Sequence, residues 1–264
     1  MFAHMRRTAA VLVSLLLVSL ALPAPASAIH LGHDASIATY GFMVSIRLAT
    51  TPDRPRCGGT LIEPDIVLTA AHCVDGVPQG GIVAVVGKDI PDWAAAPKIG
   101  TLGHRIPPTV DLSVDNRDDI AVLRLAEPQS TPTVRLATSE PRVGRHVVTA
   151  GWGCTNAPPV CEVRPTSLQA SEQYVLRDAE CEPADVFTLP RYYSPATVCT
   201  NGVRFHSTIN RGDSGGPLLV RTECGVRQVG VTSLGSDSTT KLYAGFTSIP
   251  LERAWLESAI DSLR

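Results

Sequence analysis

The sequence predicts an all-β protein, a barrel or sandwich followed by one C-terminal helix. Three observations carry this. Short runs of β-branched and aliphatic residues, four to seven long, recur along the chain. Gly, Pro, Asp and Asn cluster between the runs, where turns need them. Helical spacing of apolar residues returns only near the C-terminus.

Residues 1–28 form a separate object. Arg6 and Arg7 give a positive start, residues 9–22 are apolar, and Pro23 and Pro25 stop any helix. Ala26-Ser27-Ala28 then offers the small residues that signal peptidase reads. The apolar stretch is about 14 residues, too short to span a bilayer comfortably. A secretory signal is predicted, with a mature chain of residues 29–264 that is extracellular and free of the membrane once the signal is removed.

The strand-like runs are residues 42–48, 59–62, 66–69, 82–86, 120–125, 146–150, 217–221 and 226–232. Residues 127–142 carry Pro128, Pro132 and Pro141 and read as a connection between two halves, about 29–140 and about 141–264. At the C-terminus Ser248 is placed to cap a helix, and Pro250 falls in its first turn, where a missing N–H is harmless. Leu251, Trp255, Leu256, Ala259, Ile260 and Leu263 follow helical spacing and are expected to pack on the barrel.

With 264 residues, 44% of them hydrophobic, the chain can build a sizeable core. Charged residues are 18%, the formal net charge is −2, and no basic tract of five occurs, which argues against a nucleic-acid partner. The cysteines, Cys57, Cys73, Cys154, Cys161, Cys181, Cys199 and Cys224, all follow the signal and form no CxxC pair. In an oxidising compartment that pattern favours disulfides over zinc, and the odd count leaves one thiol over.

Three segments carry the chemistry. Thr69-Ala70-Ala71-His72-Cys73 sets a histidine after a strand; alone, it reads as a structural imidazole. Asp119-Ile120-Ala121-Val122-Leu123-Arg124-Leu125 sets an aspartate at the head of an apolar strand; alone, it reads as a turn residue. Gly212-Asp213-Ser214-Gly215-Gly216-Pro217-Leu218 surrounds a serine with glycines, which let backbone approach a ligand closely. Together they supply what acyl transfer needs. A serine hydroxyl is a weak nucleophile near neutral pH, so an imidazole must take its proton and return it to the leaving amine. A carboxylate must orient that imidazole and stabilise its charged form. The N–H groups of Gly212 and Ser214 are the natural donors to a developing oxyanion. Asp111, Asp115 and Asp118 lie near, but only Asp119 directly precedes the apolar run. His30, His33, His104, His146 and His206 have no motif around them and read as surface or packing residues.

These segments resemble the signature motifs of the trypsin-like (chymotrypsin-fold) serine proteases, in a secreted bacterial form. Cys57-Gly58-Gly59-Thr60-Leu61-Ile62 resembles the strand before that family's histidine. Gly151-Trp152-Gly153 resembles the start of its second barrel, and Tyr243 a pocket tyrosine. The resemblance covers almost the whole mature chain and supplies the order His, Asp, Ser. It implies two six-stranded antiparallel β-barrels packed face to face, with His72 and Asp119 on the first and Ser214 on the second. It implies that Ser233, Leu234 and Gly235 form an edge that pairs with substrate backbone. It also implies that a new N-terminal Ile29 buries its ammonium against Asp213. Ile29-His30-Leu31-Gly32-His33-Asp34-Ala35 resembles the family's mature start, so a cut after Ala28 would both secrete and activate the enzyme. Cys57–Cys73 and Cys181–Cys199 match family bridges. Cys154–Cys161 is assigned from proximity alone, and Cys224 remains as a free thiol whose burial is open. The partners implied are protein or peptide substrates and protein protease inhibitors, with a monomer expected.

Several positions depart from the family pattern. The disulfide beside the nucleophile is missing, and Asn210 stands there instead. At the pocket floor, six residues before Ser214, stands Thr208 and no acid, so preferential cleavage after Arg or Lys is not expected. Lys241 either projects into the same pocket, favouring an acidic residue before the scissile bond, or stays exposed. The family's calcium loop corresponds to a stretch opening Gly87-Lys88-Asp89, poor in acids, so no metal and no cofactor are expected. A catalytically silent homologue that binds a partner is the competing class, and the complete triad argues against it. An esterase is argued against because the serine does not lie in a Gly-x-Ser-x-Gly elbow.

Overall fold

The computed structural model describes residues 29–113, 116–156, 160–181, 196–203, 207–235 and 243–264. After a two-residue strand β1 (His33–Asp34), six strands follow: β2 (Met43–Leu48), β3 (Pro55–Glu63), β4 (Ile66–Thr69), β5 (Ile82–Val86), β6 (Ile99–Arg105) and β7 (Ala121–Leu125). They close a barrel in the order β2-β3-β4-β7-β6-β5. The short β8 (Arg135–Leu136) leads to β9 (His146–Gly151), β10 (Gln169–Val175), a one-turn helix α1 (Asp178–Cys181), β11 (Thr197–Gly202), β12 (Pro217–Thr222), β13 (Gly225–Gly235) and β14 (Ala244–Ser248). These form a second barrel in the order β9-β10-β11-β14-β13-β12, closed where β12 returns to β9. Helix α2 (Ile249–Asp261) ends the chain. The expected architecture is therefore found: two closed six-stranded antiparallel barrels and a C-terminal helix.

Each strand-like run falls on a strand, because each buries aliphatic side chains. The runs miss β6, β10, β11 and β14. Strand β10 shows why: its buried residues include Gln169, Ser171 and Gln173, polar groups that no hydrophobic pattern reveals. They are tolerated because they bond to one another and to neighbours. Ser171 meets Ser207 Oγ at 2.7 Å, and Gln173 Oε1 accepts from Thr200 Oγ1.

One hydrophobic cluster fills the first barrel and continues through Val148, Ala150, Leu219 and Val231 into the second. A buried hydrogen bond also crosses between barrels, from Thr60 Oγ1 to Gln228 Oε1 at 2.6 Å. Helix α2 packs back through Leu256, Ala259 and Ile260 onto that cluster. Two expectations for α2 are corrected. The Ser248 hydroxyl makes no capping bond and is buried without a partner among the described residues. Leu251 is 50% exposed, because the buried stripe runs through Ile249, Leu256, Ala259 and Ile260 and leaves residue 251 on the outer face.

The disulfides are Cys57–Cys73, Cys154–Cys161 and Cys181–Cys199. Cys224 is an exposed free thiol in the turn between β12 and β13. No helix among the described residues is long and apolar enough to cross a membrane.

Candidate active site

His72 sits in a single 3₁₀ turn, Ala71–Cys73, directly after β4. All four residues of β4 are buried, and Cys73 is tied to Cys57 on β3, so the turn is held at both ends. Asp119 immediately precedes Ile120 and β7 and is wholly buried. Its Oδ1 accepts from the His72 backbone N–H at 2.9 Å. Its Oδ2 lies 2.7 Å from His72 Nδ1 and 2.6 Å from Ser233 Oγ. An ionised carboxylate only accepts hydrogen bonds, so Nδ1 carries the proton and Nε2 is left to accept one. Three donors on one buried carboxylate fix its position and, through it, the plane of the imidazole. Asp118 points elsewhere. Its backbone lies at φ +52°, and its carboxyl bonds to Glu252 of α2.

Ser214 lies in a turn built on Gly212 at φ +99° and Gly215 at φ +77°, values that only glycine adopts without strain. The N–H groups of Asp213, Gly215 and Gly216 bond to Asn210, Thr232 and Asp213 carbonyls. Those of Gly212 and Ser214 have no partner among the described residues. The Ser214 carbonyl accepts from Gly58 N–H at 2.8 Å. Gly215 presses so closely on Thr69 Oγ1 and the Gly58 carbonyl that no side chain would fit there. The segment bearing Ser214 is thus docked on the strand ends that carry His72, although the two residues are far apart in sequence.

Asp213 is buried behind this turn. It accepts from Gly153 N at 2.8 Å and Asn210 N at 2.9 Å, and it fills the space that side chains at residues 151 and 153 would occupy. Burial pushes its carboxyl up to about 7, against the two backbone N–H groups and the positive field of Arg164. Ile29 is also fully buried. Next to it, His30 pairs with Thr208 and reaches the Thr155 carbonyl at 3.5 Å, so residues 29 and 30 lie between the two loops that hold Asp213. Asn210 replaces the missing disulfide with hydrogen bonds: its Nδ2 donates to the carbonyls of Asn156 at 2.8 Å and Val160 at 3.3 Å.

Thr208 is buried and its hydroxyl donates to the Tyr243 carbonyl at 3.4 Å. β12 leaves β13 after Val231, while β14 follows β13 to Gly235. Ser233, Leu234 and Gly235 therefore present one edge that no described strand covers. Lys241 lies outside the described residues. The stretch beginning at Lys88 does not fit a calcium ion: Asp89 Oδ1 already accepts from Ile90 N, Trp152 Nε1 and Leu168 N. Within the same stretch, Lys98 Nζ donates to the carbonyls of Trp93 and Ala94, each at 3.0 Å. Among the described residues one group has metal-ligand spacing, Cys57, His72 and Cys73, and its two sulfurs are joined to each other.

A model of the Trypsin family matches residues 29–256. The chain belongs to the trypsin family. Members of this family are serine endopeptidases, and peptide hydrolysis is the chemistry of this chain. It is 27% identical over 240 residues to a trypsin of Sarcophaga bullata, covering 88% of this chain and 89% of that one. It is 30% identical over 221 residues to human kallikrein-2, covering 77% and 80%. The fold matches that of neuropsin, a serine protease expressed in the limbic system of mouse brain, with a TM-score of 0.73 and 24% identity over 88% of this chain and all of that one. These relatives are insect and mammalian, and they do not speak to a bacterial subtype.

Ser233, expected on the substrate edge, also gives its hydroxyl to Asp119 as the third donor. No local motif signals this, since the partners lie 114 residues apart.

Proposed function

We propose that this trypsin-family enzyme is secreted and cleaves peptide bonds through Ser214, His72 and Asp119. The observation that carries the reading is the locked Asp119–His72 pair beside a serine turn with two N–H groups left over. Ser214 Oγ attacks the carbonyl carbon while His72 Nε2 takes its proton. Asp119 stabilises the imidazolium, and the N–H groups of Gly212 and Ser214 receive the oxyanion. His72 returns the proton to the leaving amine, and water repeats the sequence on the acyl-enzyme. The open edge at Ser233, Leu234 and Gly235 supports backbone pairing with the acyl half of the substrate.

Thr208 offers no charge to an Arg or Lys side chain, so cleavage after those residues is poor. Removal of residues 1–28 frees the Ile29 ammonium, which neutralises Asp213 and sets the oxyanion turn. That the family match begins at Ile29 supports this. The enzyme is monomeric, binds no nucleic acid and is open to protein inhibitors. A bacterial origin belongs to the same proposal.

A fluorophosphonate should label Ser214 in the secreted protein, and a peptide library should be cleaved. Labelling elsewhere, or no cleavage by labelled-competent protein, would overturn the reading. Strong preference for Arg or Lys before the cut would overturn the assignment of Thr208. N-terminal sequencing that starts upstream of residue 29 in active enzyme would overturn the activation step.

A further inference from the structure

Three exposed arginines, Arg56, Arg164 and Arg211, border the segments that bear His72 and Gly212. Arg56 lies across the turn that bears His72: its Nε donates to the Cys73 carbonyl at 2.8 Å and its Nη2 reaches the His72 carbonyl at 3.5 Å. Arg164 lies over Gly212. Its Nη1 is 2.9 Å from the point a Cβ on Gly212 would occupy. Arg211 precedes Gly212 directly, its backbone pinned by Asn210 Oδ1 on the N–H and by Cys154 N–H on the carbonyl. None of the three makes an ion pair among the described residues. Buried Asp213 feels the field of Arg164 through the turn but forms no ion pair with it, and Glu162 is exposed and unpaired with them. In a chain of net charge −2 this is a local concentration of positive charge and not a general one.

The strand geometry says which half of a substrate meets it. β13 passes Ser214 at Thr232, whose carbonyl accepts from Gly215 N–H, and then runs on to Gly235. A substrate pairing antiparallel with residues 233–235 runs the opposite way. Its acyl half lies along that edge, and its leaving half continues past Ser214, away from β13. There it meets the Cys57–Cys73 side and Gly212, where the Arg56 and Arg164 guanidiniums stand and where Arg211 adjoins the turn.

We propose that Arg56, Arg164 and Arg211 form an anion-recognising rim that selects substrates carrying Asp or Glu in the first positions after the scissile bond. This deepens the peptidase reading and rests on it. Guanidinium suits carboxylate through paired N–H donors. Exposed charge pairs are weak singly, so each contact should change kcat/KM by roughly two- to fivefold.

The test uses the secreted enzyme and two peptides with the same acyl half, one followed by Asp-Asp and one by Asn-Asn. Wild type should favour the acidic peptide by about tenfold in kcat/KM at low salt. The ratio should fall toward one as salt rises from about 0.01 M to about 1 M, which shortens the Debye length from about 30 Å to about 3 Å. R56Q, R164Q and R211Q should each lower the ratio, and the Arg→Lys forms should restore part of it. A ratio near one in enzyme that still hydrolyses both peptides and labels at Ser214 overturns the rim and leaves the peptidase reading standing. Failure to label and to cleave either peptide overturns both.

Discussion

The two barrels reach the same topology with different interiors. In the first, Ile46, Leu61, Ile66, Leu68, Ile120 and Leu123 are wholly buried, and close aliphatic packing dominates the interior. In the second, Gln169, Gln173, Thr200 and Gln228 are wholly buried beside the aliphatic residues, and hydrogen bonds share the work. The site divides along the same line. His72 and Asp119 hang from the tightly packed barrel. Ser214, Asp213 and Thr208 belong to the polar one, where position depends on hydrogen bonds and on the charge of a buried acid. The His72–Asp119 pair thus combines close packing with hydrogen bonds, whereas the serine turn and its pocket rest on hydrogen bonds and a buried acid.

The largest expected effect tests whether the two barrels act as one site. Ser214→Ala and His72→Ala should each lower kcat by at least about 10⁴-fold, and the double variant should lose little more. Steady-state kinetics on contaminant-free protein checks this; a tenth of wild-type activity in either variant would sink the assignment.

Stability contrasts the interiors. Leu123→Ala in the first barrel should cost about 2–5 kcal/mol. Gln228→Leu in the second leaves the Thr60 hydroxyl without its acceptor and should cost less, about 1–3 kcal/mol. Urea titrations of both decide it, and a larger loss from Gln228→Leu would reverse the comparison.

Asp213 sharpens the contrast through pH. While Ile29 is joined to residue 28, the folded-state carboxyl titrates at about 7, above its ordinary value of 3.8. The folded chain then binds that proton more tightly than the unfolded one. Stability is full at low pH and falls as pH rises from about 4 to about 7. A chain beginning at Ile29 supplies an ammonium and should lose that slope. Denaturation curves of both forms across this range test it, and identical slopes would remove the Ile29–Asp213 pair.

The smallest effect lies where α2 meets the first barrel. Burial and the neighbouring Asp118 raise the Glu252 carboxyl from 4.5 to about 7. By the same sign, its contribution is full at low pH and is lost as pH rises from about 4.5 to about 7. Glu252→Gln should therefore flatten the stability profile by a modest amount across that window. An unchanged slope in denaturation curves of the variant would show that Glu252 does not carry it.

The sequence by itself determined the strands whose inward faces are aliphatic, such as 66–69, 82–86 and 120–125. Each of these carries its burial signal within a few residues. It also singled out the three candidate catalytic segments, because glycine spacing and residue type are local properties. It could not find β10, β11 or β14, whose buried residues include polar groups that no hydrophobic pattern reveals, several of them bonded to partners on other strands. Nor could it place Ser233 on Asp119, Asn210 across to Asn156 and Val160, or Arg164 over Gly212. Those pairings join residues tens to more than a hundred positions apart. They exist only because barrel closure brings loop ends to one face, and hydrogen bonds and charge act over a few ångströms whatever the separation along the chain.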